Sequence, residues 1–477
     1  MKTILKNFSL TILSSLISLV TSALIVFILP KLIGVRDYGF WQWYNLLATY
    51  VGVVPLGWID GMYLKLGGML YSKLDKSTIH RKFVLFTYYI GLVSVLVILT
   101  GFLFVSGEYK TVVIFIGLTI FAFDVRGFIS YVLQATNRIA ENAAITMMSS
   151  VLYLIFVAVL IFLKVYSVPW FIMANVLSML ISMVYAVYSL RDIVFFKQGA
   201  SKAPAQNVVN DIFDDVRVGM KLLLANFSAM LFMGIVRIGI ERAWNIETFG
   251  KISLVINFSN LLMVFIMAIS MTVFPLLRRL PEESQKSMYS SLRVSLMFVL
   301  FAMLFAYIPI QIIIKSWLPN YAEALYYLPI MLTTVVLQGK FELLSNTFLK
   351  VFRMESELLA TNVIASFINV VLTFIMAFIV HNLTYLLVSL MIVMLIRSLI
   401  SEIFLSQRMN INVIRDQLLE VIVFISYVLL MFRYSLLLGG ILYAGILIVF
   451  AFFERKSLRQ AFDFFRNQFS STKPERK

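Results

Sequence analysis

Apolar runs of about twenty residues recur along the chain, separated by short polar breaks that carry most of its charge. An α-helix rises about 1.5 Å per residue, so about 20 apolar residues cross the roughly 30 Å hydrocarbon core of a bilayer. On that criterion the first spans are Leu10–Leu29, Phe40–Ile59, Phe83–Val105, Val112–Gln134, Ala143–Leu163 and Val168–Tyr188. After a polar stretch, Arg191–Asp215, come Leu222–Glu241, Ile252–Leu277, Val294–Ile314, Ala324–Phe348, Leu358–Val380, Leu383–Leu405, Gln417–Phe432 and Tyr434–Phe453. The pattern predicts an all-α integral membrane protein with fourteen transmembrane helices. The thirteenth span is the shortest and contains Glu420.

Composition changes the picture only by excluding alternatives. Of 477 residues, 61% are apolar and 13% charged, and mean hydropathy is +0.93. Soluble domains carry about 25% charged residues, so this chain cannot cover a soluble surface. It has no cysteine, and its two histidines, His80 and His381, lie in distant loops. Disulfides, thiolate chemistry and a zinc site are therefore not expected.

The net charge of +16 is explained by topology rather than by nucleic acid. With the N-terminus inside, loop-by-loop alternation puts 28 Lys and Arg on the inner side and 8 on the outer, with Arg126, Arg237, Lys340 and Arg397 inside spans. That is a positive-inside bias, and it predicts cytoplasmic N- and C-termini. The run to Leu29 is long enough to span, so it reads as a first helix rather than a cleaved leader.

The layout predicts an N-terminal six-helix half over 1–190 and a cytoplasmic linker over 191–219. A second six-helix half over 220–407, a helical hairpin over 408–454 and a basic tail over 455–477 follow. Within the linker, Val209, Ile212, Phe213 and Val216 recur at helical spacing opposite Asp211, Asp214 and Asp215, which predicts an amphipathic helix. The halves also echo each other. Lys31-Leu-Ile-Gly-Val-Arg-Asp-Tyr-Gly39 follows the first span and Arg242-Ala-Trp-Asn-Ile-Glu-Thr-Phe-Gly250 the seventh; Asn137-Arg138 and Phe352-Arg353 recur at nearly the same offset. Two such places predict parallel six-helix repeats with a substrate site between them.

These residues also carry a family resemblance. Leu29-Pro-Lys-Leu-Ile-Gly-Val-Arg-Asp-Tyr-Gly-Phe-Trp41, and Pro55-Leu-Gly-Trp-Ile-Asp-Gly61 further on, resemble the first loop and second helix of polysaccharide repeat-unit (O-antigen or teichuronic-type) flippases. That family belongs to the multidrug, oligosaccharidyl-lipid and polysaccharide exporter superfamily. The resemblance covers essentially the whole chain. It implies translocation of an undecaprenyl-diphosphate-linked oligosaccharide across a bacterial cytoplasmic membrane by alternating access. It also implies membrane lipids, a polysaccharide polymerase and glycosyltransferases as partners, and no cofactor.

No phosphate-binding loop of the Gly-x-x-x-x-Gly-Lys-Ser/Thr type is present, and no outer loop is long enough to hold a catalytic domain. What remains are ionisable groups inside spans, where each costs about 2.5–3.5 kcal/mol to insert and is expected to face a cavity or a partner. Arg126, Arg237, Lys340 and Arg397 are the candidate cavity cations for a diphosphate. Asp124, Glu241, Glu342 and Glu402 are the candidate paired or coupling carboxylates, and no metal ligand set is expected. Lys340 and Arg397 have no carboxylate four positions before them, so both are expected to lack local neutralisation and to face a cavity. Three alternatives stay open: a cation-coupled drug exporter, a peptidoglycan-precursor flippase, and a non-transport scaffold of a polysaccharide assembly complex.

Overall fold

The computed structural model describes residues 2–196, 205–277, 282–455 and 458–459, and these form an all-α, multi-pass membrane fold with no strand among them. The chain divides into two compact units, Met1–Met230 and Leu231–Lys477. The first unit holds α1 (Lys2–Leu32), α2 (Val35–Thr49), α3 (Trp58–Leu66), α4 (Lys76–Phe104), α5 (Gly107–Ala135), α6 (Ile139–Phe162), α7 (Val168–Ser189) and the short α8 (Arg191–Val194). The boundary between units falls inside α9 (Ala205–Ala243). The second unit continues through α10 (Ile246–Leu277), α11 (Glu282–Met303), α12 (Tyr307–Trp317), α13 (Leu328–Lys340) and α14 (Thr347–Val351). It ends with α15 (Glu355–Phe374), α16 (Leu383–Met409), α17 (Ile414–Arg433) and α18 (Leu436–Phe453).

Among the described residues nine helices, or ten counting the bent α2–α3 pair as one, are long and apolar enough to cross a membrane. The other four expected spans lie on α9, α10, the α13–α14 segment and α17. Three of these carry the intramembrane charges Arg237, Lys340 and Glu420. Phe104, Phe162 and Leu437 are largely exposed, as befits surfaces whose solvent is lipid.

Helices run past the apolar runs that predict them. α4 starts at Lys76, seven residues before its apolar run, because Asp75 caps it: its carboxylate accepts from the backbone N–H of Ser77 at 3.1 Å and of Thr78 at 3.2 Å. The expected loop Lys31–Gly39 is mostly helical, with α1 ending at Leu32 and α2 starting at Val35. The second span is broken rather than continuous. α2 and α3 meet at 53° across Pro55, with Leu56 at φ 53° and Gly57 at φ 79°. A leucine in the left-handed region costs on the order of 1–2 kcal/mol, so the break is held by its surroundings.

The linker and the tail are only partly described. Residues 197–204, including Pro204, lie outside the described residues, as does the tail apart from 455, 458 and 459. From Ala205 the linker is the first part of the continuous α9. Its faces are mixed: Phe213 is 67% exposed with Asp214 exposed beside it, whereas Val208 is buried and Asp215, 2% exposed, is turned toward lysines.

Candidate functional site

In the first unit α5 builds one wall of a cavity of about 330 Å³. Phe123, Gly127, Ser130 and Gln134 recur at helical spacing along that wall, and Asp124, Arg126 and Tyr131 flank them. Asp60 of α3, Asn142 and Thr146 of α6, and Leu223, Phe227 and Met230 of α9 complete much of the lining. Amides, hydroxyls and carboxylates alternate with aliphatic and aromatic side chains, so the chamber in this membrane-spanning unit is amphipathic.

Two charges in this wall are not neutralised by their neighbours. Arg126 donates to Ser182 Oγ at 3.2 Å and lies 5.6 Å from the Phe123 ring centroid. Among the described residues it has no carboxylate within 4 Å. Asp124 is fully buried, and neither of its oxygens has a hydrogen-bond partner among the described residues. The two sit at i and i+2 on α5, a spacing that points them apart. A buried charge without a partner is costly, and of the two Arg126 is the one that cannot shed its charge, so it calls for an anion from the cavity.

The second unit contains a different arrangement, and Lys340 departs from expectation there. It is 1% exposed, and its ammonium is held by Glu402 of α16 at 3.0 Å and by Glu420 of α17. Arg293 of α11, counted as an inner-loop cation in the sequence, is 2% exposed. It pairs with Glu402 at 3.3 Å, Glu420 at 2.8 Å and Asp416 at 2.7 Å. Gln417 adds a donor to Glu402 at 3.0 Å. Lys340 is therefore neutralised by carboxylates from two other helices, which the absence of one four residues earlier did not reveal. Glu420 was the available signal: a glutamate in an apolar span needs a buried cation.

Arg397 is buried too, in another setting. It donates to Asn362 Oδ1 and Gln338 Oε1, both at 2.9 Å, and its guanidinium stacks 3.5 Å from the Phe341 ring centroid and 4.6 Å from that of Phe232. Among the described residues no carboxylate lies within 4 Å of it. Glu342 accepts from Gln338 at 2.9 Å and from Asn346 at 2.6 Å, so an amide separates it from Arg397. Phe341–Asn346 is a π-helical turn, a feature frequent at functional sites. On α9, Arg237 donates to Ser253 at 3.1 Å, and the Glu241 carboxylate lies 3.4 Å from Arg242.

No family model and no curated sequence matches the chain. Solved structures do. The chain matches an inward-facing multidrug resistance MATE family transporter of the MOP superfamily with a TM-score of 0.61 at 13% identity, over 85% of this chain and 97% of that one. It matches the lipid II flippase MurJ in an inward closed conformation with a TM-score of 0.61 at 12% identity, over 95% and 99%. A point mutant of the Vibrio cholerae MATE transporter VcmN matches with a TM-score of 0.54 at 10% identity, over 86% and 97%. The fold is that of MOP-superfamily transporters. These structural neighbours are transporters and a flippase, and at such identity they carry the fold alone. The MurJ match covers more of this chain than the MATE matches do, by a difference about the size of the α17–α18 hairpin.

Proposed function

We propose that this MOP-fold protein translocates an undecaprenyl-diphosphate-linked oligosaccharide across the bacterial cytoplasmic membrane by alternating access. The observation that carries the reading is Arg126, a cation without a carboxylate partner among the described residues, on the wall of an amphipathic cavity in a membrane-spanning unit. Its planar guanidinium suits a phosphate oxygen pair, and the amides and hydroxyls around it suit sugar hydroxyls. Arg397, held only by amides and aromatic rings among the described residues, is a second cation of the same kind. The match to a lipid II flippase along 95% of the chain supports the lipid-linked class.

Deletion of the chain should cause a lipid-linked saccharide to accumulate on the inner leaflet. The intact protein should clear it, and an Arg126→Ala variant of normal abundance should not. Accumulation of a peptidoglycan precursor in place of a polysaccharide repeat unit would move the assignment to that branch.

Asp124 favours a second reading, a cation-coupled exporter of cationic solutes, because a lone buried carboxylate matches a cation. Export of a cationic dye by reconstituted protein, with no saccharide accumulating in the deletion strain, would select it.

A further inference from the structure

Apart from Asp60, which lines the cavity, the Pro55–Gly61 motif takes no part in the charges described above, yet it brings α3 and α9 into backbone contact. On α3 and the turn before it, Gly57 and Gly61 lie against Gly219 and Asp215 of α9. A Cβ on Gly61 would fall inside the Asp215 carbonyl, and one on Gly219 inside the Gly57 carbonyl, so the two backbones meet with no side chain between them. One turn away the contact becomes ionic. Lys65 of α3 pairs with Asp211 and, at 3.7 Å, with Asp215, and Lys82 of α4 pairs with both aspartates.

The same two helices line the cavity, α3 from between its two contact glycines and α9 from one to three turns past Gly219. α3 contributes Ile59 and Asp60, and α9 contributes Leu223, Phe227 and Met230. About 330 Å³ is near the lower limit of small-ligand sites, roughly 300–1,000 Å³. An oligosaccharide head of several sugars is larger than this, so enclosing it would take a wider cavity. Three features mark the α3–α9 seam. It is a glycine contact that leaves no interlocked side chains to extract. One of its lysines, Lys65, is half exposed, where ion pairs are weak. And α3 hangs from the break at Leu56–Gly57, where the backbone already departs from helix.

We propose that the seam is a latch: α3 and α9 separate at Gly57, Gly61 and Gly219 to widen the cavity for the saccharide, and the Lys65 pairs with Asp211 and Asp215 draw them shut, while buried Lys82 keeps α9 tied to α4. The proposal rests on the reading that this cavity carries the substrate, so its test has an arm that uses no substrate.

The native chain has no cysteine, so introduced pairs report cleanly. In the first arm, Lys65→Cys with Asp211→Cys is bridged by a short bifunctional maleimide in membranes. Translocation of the lipid-linked saccharide should fall to background relative to the same double variant left unbridged, while the reagent leaves each single-cysteine variant at whatever rate it has untreated. Bridged protein that translocates at the unbridged rate overturns the latch. In the second arm, Leu223→Cys on α9 is labelled with a membrane-impermeant maleimide. Adding Gly219→Ala or, in a variant with no steric intrusion, Lys65→Ala should raise the labelling rate at least threefold. Equal rates in all three backgrounds overturn the latch whatever the substrate proves to be. If labelling responds but no saccharide moves in any variant, the latch stands and the substrate assignment falls.

Discussion

Lys340 gives the sharpest separation between a structural and a transporting role for an intramembrane charge. Replacing it with methionine keeps most of the side-chain volume and removes only the ammonium. In the native network two cations, Arg293 and Lys340, face three carboxylates, Glu402, Glu420 and Asp416. Without Lys340 the two fully buried glutamates share one arginine, which also serves Asp416. Removing one partner from a buried ion pair costs about 3–5 kcal/mol, chiefly because the charge left behind stays dry. On the scale of soluble domains of this size, that lowers a melting midpoint by roughly 6–20 °C. The assay is thermal unfolding of detergent-purified protein, followed as loss of the monodisperse peak in size-exclusion chromatography. Lys340→Met should fall within that range, and adding Glu420→Gln should recover more than half of the loss by removing the orphaned charge. A Lys340→Met protein as stable as the parent but unable to translocate would refute the reasoning and return Lys340 to the substrate path.

Other outcomes follow from the same geometry. Arg126→Ala should leave abundance normal and abolish translocation, while Arg126→Lys should retain part of it, because charge survives without the planar fork; both are read by complementation of the deletion strain. Asp124→Leu removes a buried carboxylate with no hydrogen-bond partner among the described residues, so thermal stability should rise by about 1–3 kcal/mol while transport is lost. Asp75→Ala should cost about 1 kcal/mol through loss of the α4 cap. The hydrogen bond from Thr78 holds the Asp75 carboxyl below the ordinary carboxylate range. Its contribution is therefore complete above the unfolded-state pKa and lost as pH falls through the lowered folded value, so the parent and Asp75→Ala should converge in stability only in acid.

The helical scaffold was legible because lipid imposes one rule everywhere: about twenty apolar residues, then a polar break with a charge bias. Each of the fourteen expected spans falls mainly on helix among the described residues. What the rule misses is where helices bend or meet. The span expected as Phe40–Ile59 breaks at Pro55–Gly57, since an apolar run does not register a left-handed leucine. Charges were legible as outliers, but their partners were not. The i, i+4 rule sees one helix at a time, whereas Lys340 finds Glu402 and Glu420 on helices sixty to eighty positions later. Arg293 shows the same limit: near the end of a span it reads as a loop cation, and only folding puts three carboxylates around it. Arg126 and Arg397 were visible as candidates because each is a cation inside an apolar span. In the structure none lies within 4 Å of either among the described residues.

The claim that the chain moves a lipid-linked saccharide is tested most directly in vesicles. Purified protein is reconstituted with a polyprenyl-diphosphate-linked oligosaccharide in the lipid, and an impermeant glycosidase reports how much of the head group is reachable from outside. The reachable fraction should start near one half and rise toward completion with the intact protein, but stay near one half with Arg126→Ala. An intact protein that leaves it near one half, while the same vesicles accumulate a cationic dye, would contradict the account.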